Sequence, residues 1–181
     1  MNTNAHPSLM TPAPAVWTAL IGAVSIGGTL AFACGAPFAA IAALAAISLR
    51  RGEGLTTVVA AWAANQLIGF AVLGYPLETM SFVWGAVIGV AMIVAFLATR
   101  LTATAATPAL SAPLAFVAAF TVFQGAIYAA ALVLGGTEAY TVDTISWILA
   151  VNAIAYAGLI ALHFALKAIF ERPSRIVASA A

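Results

Sequence analysis

The sequence predicts an all-α membrane protein, a bundle of six transmembrane helices with both termini in the cytoplasm. Three observations carry that expectation. First, 65% of the 181 residues are hydrophobic and 6% are charged, whereas a soluble domain is about 25% charged. Six Lys and Arg with five Asp and Glu cannot cover a water-facing surface of this length, so lipid must be the solvent for most of it. Second, charges, glycines and prolines divide the chain into apolar runs, and a span needs about 20 residues at 1.5 Å rise to cross roughly 30 Å of hydrocarbon. Third, all six basic residues fall on one side, in alternate connections and at the C-terminal end, as orientation by cytoplasmic Lys and Arg requires.

Residues 1–15 carry no Lys or Arg and have prolines at 7, 12 and 14. They lack the charged start of a secretory signal and read as an exposed lead-in. The first span is Val16–Ala33. The second, Pro37–Leu49, is short for a full crossing, and Pro37 suits the first turn of a helix. Arg50, Arg51, Gly52, Glu53 and Gly54 then interrupt. The third run is Leu55–Gly74, closed by Tyr75-Pro76, and the fourth Met80–Thr99, closed by Arg100. Thr102–Ser111, small and polar with Pro108, reads as a loop. The fifth run is Pro113–Leu134, Gly135–Asp143 turns, and the sixth is Thr144–Ile169. The domain therefore covers 16–170, with 171–181 as a cytoplasmic tail.

The even connections hold Arg50, Arg51 and Arg100 and the C-terminal end, from the last turns of the sixth run onward, holds Lys167, Arg172 and Arg175, while the odd connections hold Glu78, Glu138 and Asp143. The turn after the first span is then extracellular, and it contains Cys34, the only cysteine. A single thiol excludes an internal disulfide, a thiolate zinc cage and an iron–sulfur cluster. A net charge of +1 without interleaved aromatic and basic residues gives no footprint for nucleic acid. No acid or base stands at mid-membrane depth, which argues against a proton relay or voltage sensor, and no phosphate-binding loop is present.

Cys34-Gly-Ala-Pro cannot continue a regular helix, since Gly35 permits unusual angles and Pro37 disfavours helix at Ala36. The thiol is presented from a turn. Free cysteine often packs as a small hydrophobe, and its pKa near ~8.5 keeps it protonated unless a metal or cation stabilises the thiolate. Soft sulfur suits a late transition metal, but one sulfur cannot hold a bare ion, so the remaining ligands must arrive with the substrate. Within the third run Asn65 and Gln66 must face other helices or a cavity, either as interhelical glue or as the wall of an outward pocket with Gly69, Phe70 and Leu73. Gln124 with Tyr128 and Asn152 with Tyr156 repeat the polar pattern on the fifth and sixth runs. Trp84 and Trp147 stand near the outer boundary, as belt anchors or as walls for a large planar ligand. His163 stands without a second ligand at metal-site spacing. Ala19 and Ala23, and Ala39, Ala42, Ala43 and Ala46, are spaced for close helix approach.

Cys34-Gly-Ala-Pro-Phe38, Trp62-Ala-Ala-Asn-Gln66, Gly69-Phe70 and Tyr75-Pro76, within Thr29–Gly85, resemble the BtuM family of vitamin B12 transporters. The six-helix architecture is similar to the substrate-binding S-components of energy-coupling factor (ECF) transporters. The resemblance implies uptake of cobalamin across a bacterial cytoplasmic membrane. Cys34 would be the axial ligand of the cobalamin cobalt, possessing the chemistry to displace an upper ligand such as cyanide. Asn65, Gln66, Tyr75, Trp84 and Trp147 would line the pocket, and Ala19 and Ala23 would meet an ECF transmembrane coupling protein that works with ATPases. Cobalamin is then substrate, and no cofactor of the protein's own is expected. The competing reading of the same residues is a structural or assembly subunit without cargo, in which Cys34 packs and the amides hold helices together.

Overall fold

The computed structural model describes residues 36–103 and 108–170. These form five α-helices and one short 3-10 turn: α1 (Phe38–Ser48), α2 (Arg51–Ala71), α3 (Thr79–Ala103), α4 (Pro108–Leu134), the turn Thr137–Ala139, and α5 (Val142–Phe170). Helices α2 to α5 are each long and apolar enough to cross a membrane, which makes the chain a multi-pass membrane protein. The expected span Val16–Ala33, with Ala19 and Ala23, lies outside the described residues, as do Cys34, the lead-in 1–15 and the tail 171–181.

α1 is the centre of the bundle. Its eleven residues reach only about 16 Å, half the hydrocarbon thickness. Instead of spanning, it packs against α2, α3, α4 and α5. Ala39, Ala40, Ile41, Ala42, Ala43 and Ala45 are all fully buried, as befits a helix that is apolar all round. The alanines let four backbones come close, and in lipid that packing, not transfer out of water, supplies the attraction.

A short buried helix has a problem at its ends, where N–H and C=O groups lack intrahelical partners and no water is at hand. Pro37 at the N-cap has no side chain to offer. Asn152, from the middle of α5, supplies the acceptor: its Oδ1 receives the Ala40 N–H at 3.2 Å, while its Nδ2 donates to Ile148 O at 2.9 Å. At the other end Arg100 of α3 donates from Nη1 to Leu49 O at 2.8 Å and to Ala46 O at 3.1 Å. Its guanidinium also lies 5.8 Å from the centroid of the Phe96 ring. A cation at a helix C-terminus is favourable for the macrodipole as well.

Several boundaries differ from the sequence expectation. The Arg-Arg-Gly-Glu-Gly stretch is the first turn of α2 and not an interruption, because Glu53 Oε2 accepts the Arg50 N–H at 3.2 Å and Thr56 Oγ1 donates to Gly52 O at 3.0 Å. α2 stops at Ala71, where Leu73 N–H turns back to Ile68 O at 3.0 Å and Tyr75 N–H to Gly69 O at 3.0 Å. Gly74 makes this possible with φ +70°, a left-handed conformation that glycine adopts without a Cβ penalty. Arg100 lies inside α3, which continues to Ala103. α4 begins at Pro108, so Pro113 is inside a helix; standing in the second turn, its missing N–H costs one helical bond, the one to the carbonyl four residues earlier. Nearby, Tyr156 donates to Ala112 O at 2.9 Å and stacks on Phe116 at 5.1 Å.

The succession of helices puts Arg50, Arg51 and Arg100 at one end of the bundle and the Tyr75–Glu78 and Gly135–Thr141 connections at the other. Gly136 lies against the Trp84 indole of α3. We refer to these as the basic and the acidic end.

Candidate functional site

α2 and α3 pack through glycines that receive side chains from the partner helix or, at Gly69, from the connection between them. The Phe96 ring covers Gly54, the Tyr75 ring covers Gly69, Gln66 lies over Gly85, and Trp62 lies over Gly89. Trp62 also donates its indole N–H to Gly85 O at 2.7 Å. Side chains therefore fill the Gly85-xxx-Gly89 groove, where in many membrane pairs a second backbone would lie.

Toward the acidic end the two helices diverge and leave a cavity of about 350 Å³. Asn65 and Gln66 of α2 form one wall, Ser81, Trp84 and Gly85 of α3 another, and Tyr75 and Glu78 the connection between them. Phe38 of α1 and Ala36 just before it complete the lining. Asn65 is buried, and its Oδ1 accepts from Gln66 Nε2 at 3.3 Å. Tyr75 meets Phe70 edge-on at 5.9 Å, and Phe70 stacks on Phe82 at 4.7 Å. A second space of about 550 Å³ lies on the far side of Gln66, lined by Trp62, Leu67, Phe70 and Phe82. It is larger but an open apolar groove, whereas convergent polar groups mark a ligand site; the smaller chamber is the candidate.

Of the residues expected around a ligand, Asn65, Gln66, Tyr75 and Trp84 meet at this chamber. Trp147 does not line it: it sits near the start of α5 and is 47% exposed. The other polar pairs serve packing. Asn152 is 2% exposed and caps α1, Tyr156 reaches Ala112 O, and the backbone O of Gln124 accepts from Tyr140 at 3.5 Å. Tyr140 also meets Tyr128 edge-on at 5.0 Å, and burial in this loop pushes its phenol up to about 12. His163 meets Phe164 edge-on at 5.7 Å, far along α5 from the chamber.

Sequence reasoning did not single out Ser81, Gly85 or, as a wall residue, Glu78. The Gly85-xxx-Gly89 spacing was the available signal, because it marks where α2 approaches α3 closely. Among the described residues no group of three His, Cys, Asp or Glu could hold a metal ion, so a metal in this chamber would have to bring its own ligands. No family model, curated protein or solved structure matches the chain.

Proposed function

We propose that the protein is a binding and uptake subunit for a corrinoid, held in the chamber at the acidic end with the Cys34 thiolate as axial ligand to cobalt. The observation that carries this reading is convergence: Asn65, Gln66, Tyr75 and Trp84 line one cavity whose lining also includes Ala36. Cys34 stands two residues before Ala36, and two peptide units limit their Cα separation to about 7.6 Å. A corrin ring supplies four nitrogens and leaves an axial position, so one sulfur suffices. With cyanocobalamin the thiolate would replace the upper cyanide, which leaves as the anion without change in the cobalt oxidation state.

At about 350 Å³ the chamber is near the lower end of the roughly 300–1,000 Å³ range of ligand pockets. Only an edge or axial face of the macrocycle enters it. Positive-inside orientation makes the basic end cytoplasmic and the chamber outward-facing, in a bacterial cytoplasmic membrane. Val16–Ala33 is the sixth helix in this reading, offering Ala19 and Ala23 to an ECF-type coupling protein driven by ATPases.

The test is native mass spectrometry of protein purified from cells fed cyanocobalamin, together with its absorption spectrum. The expected result is a bound corrinoid mass and a spectrum shifted from the cyano form, with the shift lost in Cys34→Ala. A protein without corrinoid overturns the proposal, and a corrinoid bound equally well by Cys34→Ala, with an unshifted spectrum, removes the thiol from it.

A further inference from the structure

The chamber contains one formal charge. Glu78 lines it, and every other lining side chain is neutral. Among the described residues no cation is placed to cancel that charge. The acidic end holds Glu78, Glu138 and Asp143 and no Lys or Arg, while residues 1–49 contain no Asp, Glu, Lys or Arg at all. The cation on the helix that Glu78 precedes, Arg100, is a further 22 positions along the chain, some 33 Å away at helical rise, which is about three Debye lengths at 0.1 M salt. The first turn of α3 contributes only about half a positive charge, and Ser81 N–H, at its start, is already bonded to Glu78 O at 3.1 Å. An ionised carboxylate accepts and does not donate, and the Gln66 amide donates its Nε2 to Asn65, leaving Oε1 beside Gly85. Glu78 and Gln66 Oε1 thus add acceptors to a wall that also holds the Ser81 and Tyr75 hydroxyls and the Trp84 indole.

We propose that Glu78 sets the ligand selectivity of this chamber, which admits cationic or amide-bearing molecules and rejects carboxylates. The inference rests on the chamber being the ligand site, and within the corrinoid reading it assigns the cargo to forms whose ring side chains are amides.

The chamber's charge is measured directly with Ser81→Cys in a Cys34→Ala background, labelled by methanethiosulfonates bearing trimethylammonium or sulfonate groups. Ser81 is one helical turn from Glu78, about 6 Å between Cβ atoms. At that separation in a water-like dielectric a unit charge changes the local concentration of a monovalent reagent about threefold. The cation-to-anion rate ratio, relative to a free thiol at low ionic strength, is expected to be about tenfold. It should fall toward one in Glu78→Gln and in high salt. An equal ratio in both proteins, or no labelling by either reagent, overturns the inference. A corrinoid with amide side chains is then compared with its hydrolysed carboxylate counterpart. Wild type is expected to prefer the amide form, and Glu78→Gln to lose that preference. If neither corrinoid binds, the corrinoid reading fails while the labelling ratio still decides the role of Glu78.

Discussion

Asn152→Leu tests the most specific claim about the architecture, that a side chain on α5 caps the central helix. The substitution keeps the heavy-atom count and branching of Asn152, which is 2% exposed, puts bulkier methyl groups in place of the amide, and removes the acceptor that receives the Ala40 N–H at 3.2 Å. Ile148 O, which loses the Nδ2 donor, still has its own helical partner, so the polar loss is confined to one orphaned donor and any crowding by the methyls adds to it in the same direction. Leaving a buried donor unpaired costs about 1–3 kcal/mol. Interhelical hydrogen bonds measured in membranes average about 0.6 kcal/mol with a maximum near 1.7, which favours the lower half of that range. Leucine is the better helix former by up to about 0.7 kcal/mol, a gain in the opposite direction. The net expectation is a loss of about 1 kcal/mol, or about 2–4 °C in the melting temperature of a chain this size. Thermal unfolding in detergent, followed by loss of the monodisperse peak, reads it. A variant as stable as wild type, or more so, refutes the capping argument, because the propensity gain alone would then describe the site.

At the other end of α1, Arg100→Gln removes two charge-assisted bonds, to Leu49 O and Ala46 O. The loss should be about 1.5–3 kcal/mol, and the two cap substitutions should add to within about 0.5 kcal/mol because the sites share no partner. Gly54→Ala should destabilise despite alanine's better propensity of about 1 kcal/mol: its Cβ would meet the Phe96 ring edge at 2.6 Å and Ala45 O at 3.1 Å. Overpacking of this kind costs about 1–3 kcal/mol, and the same thermal assay should show a lowered midpoint, which Phe96→Leu in the second position should partly restore.

The spans from α2 to α5 were legible because each rests on redundant information: long apolar runs bounded by charge, glycine or proline. Their ends were less so, since local bonds set them. The Arg50 N–H to Glu53 bond starts α2 earlier than the charges suggest, and nothing in composition announces that Pro113 is carried inside α4. The short alanine-rich run was visible as too short to span and as apt for close packing, and it is the core. Asn65, Gln66, Tyr75 and Trp84 could be selected because amides and aromatics near one boundary are few, and they do share a chamber. Trp147 could not be separated from them, because a tryptophan near a membrane boundary reads the same whether it faces lipid or ligand. Likewise Asn152 and Gln66 look alike as residues, and only the fold distinguishes a cap from a wall.

The partner of Ala40 lies 112 residues downstream. During synthesis the central helix therefore remains incomplete until α5 has left the ribosome. A segment too short to insert stably, with its first turn unsatisfied, has to wait beside its neighbours, and arrival of α5 closes the assembly. Late insertion of α5 is thus the event that completes the packing around the centre, and a nascent chain lacking it would present quality-control proteases with an open centre.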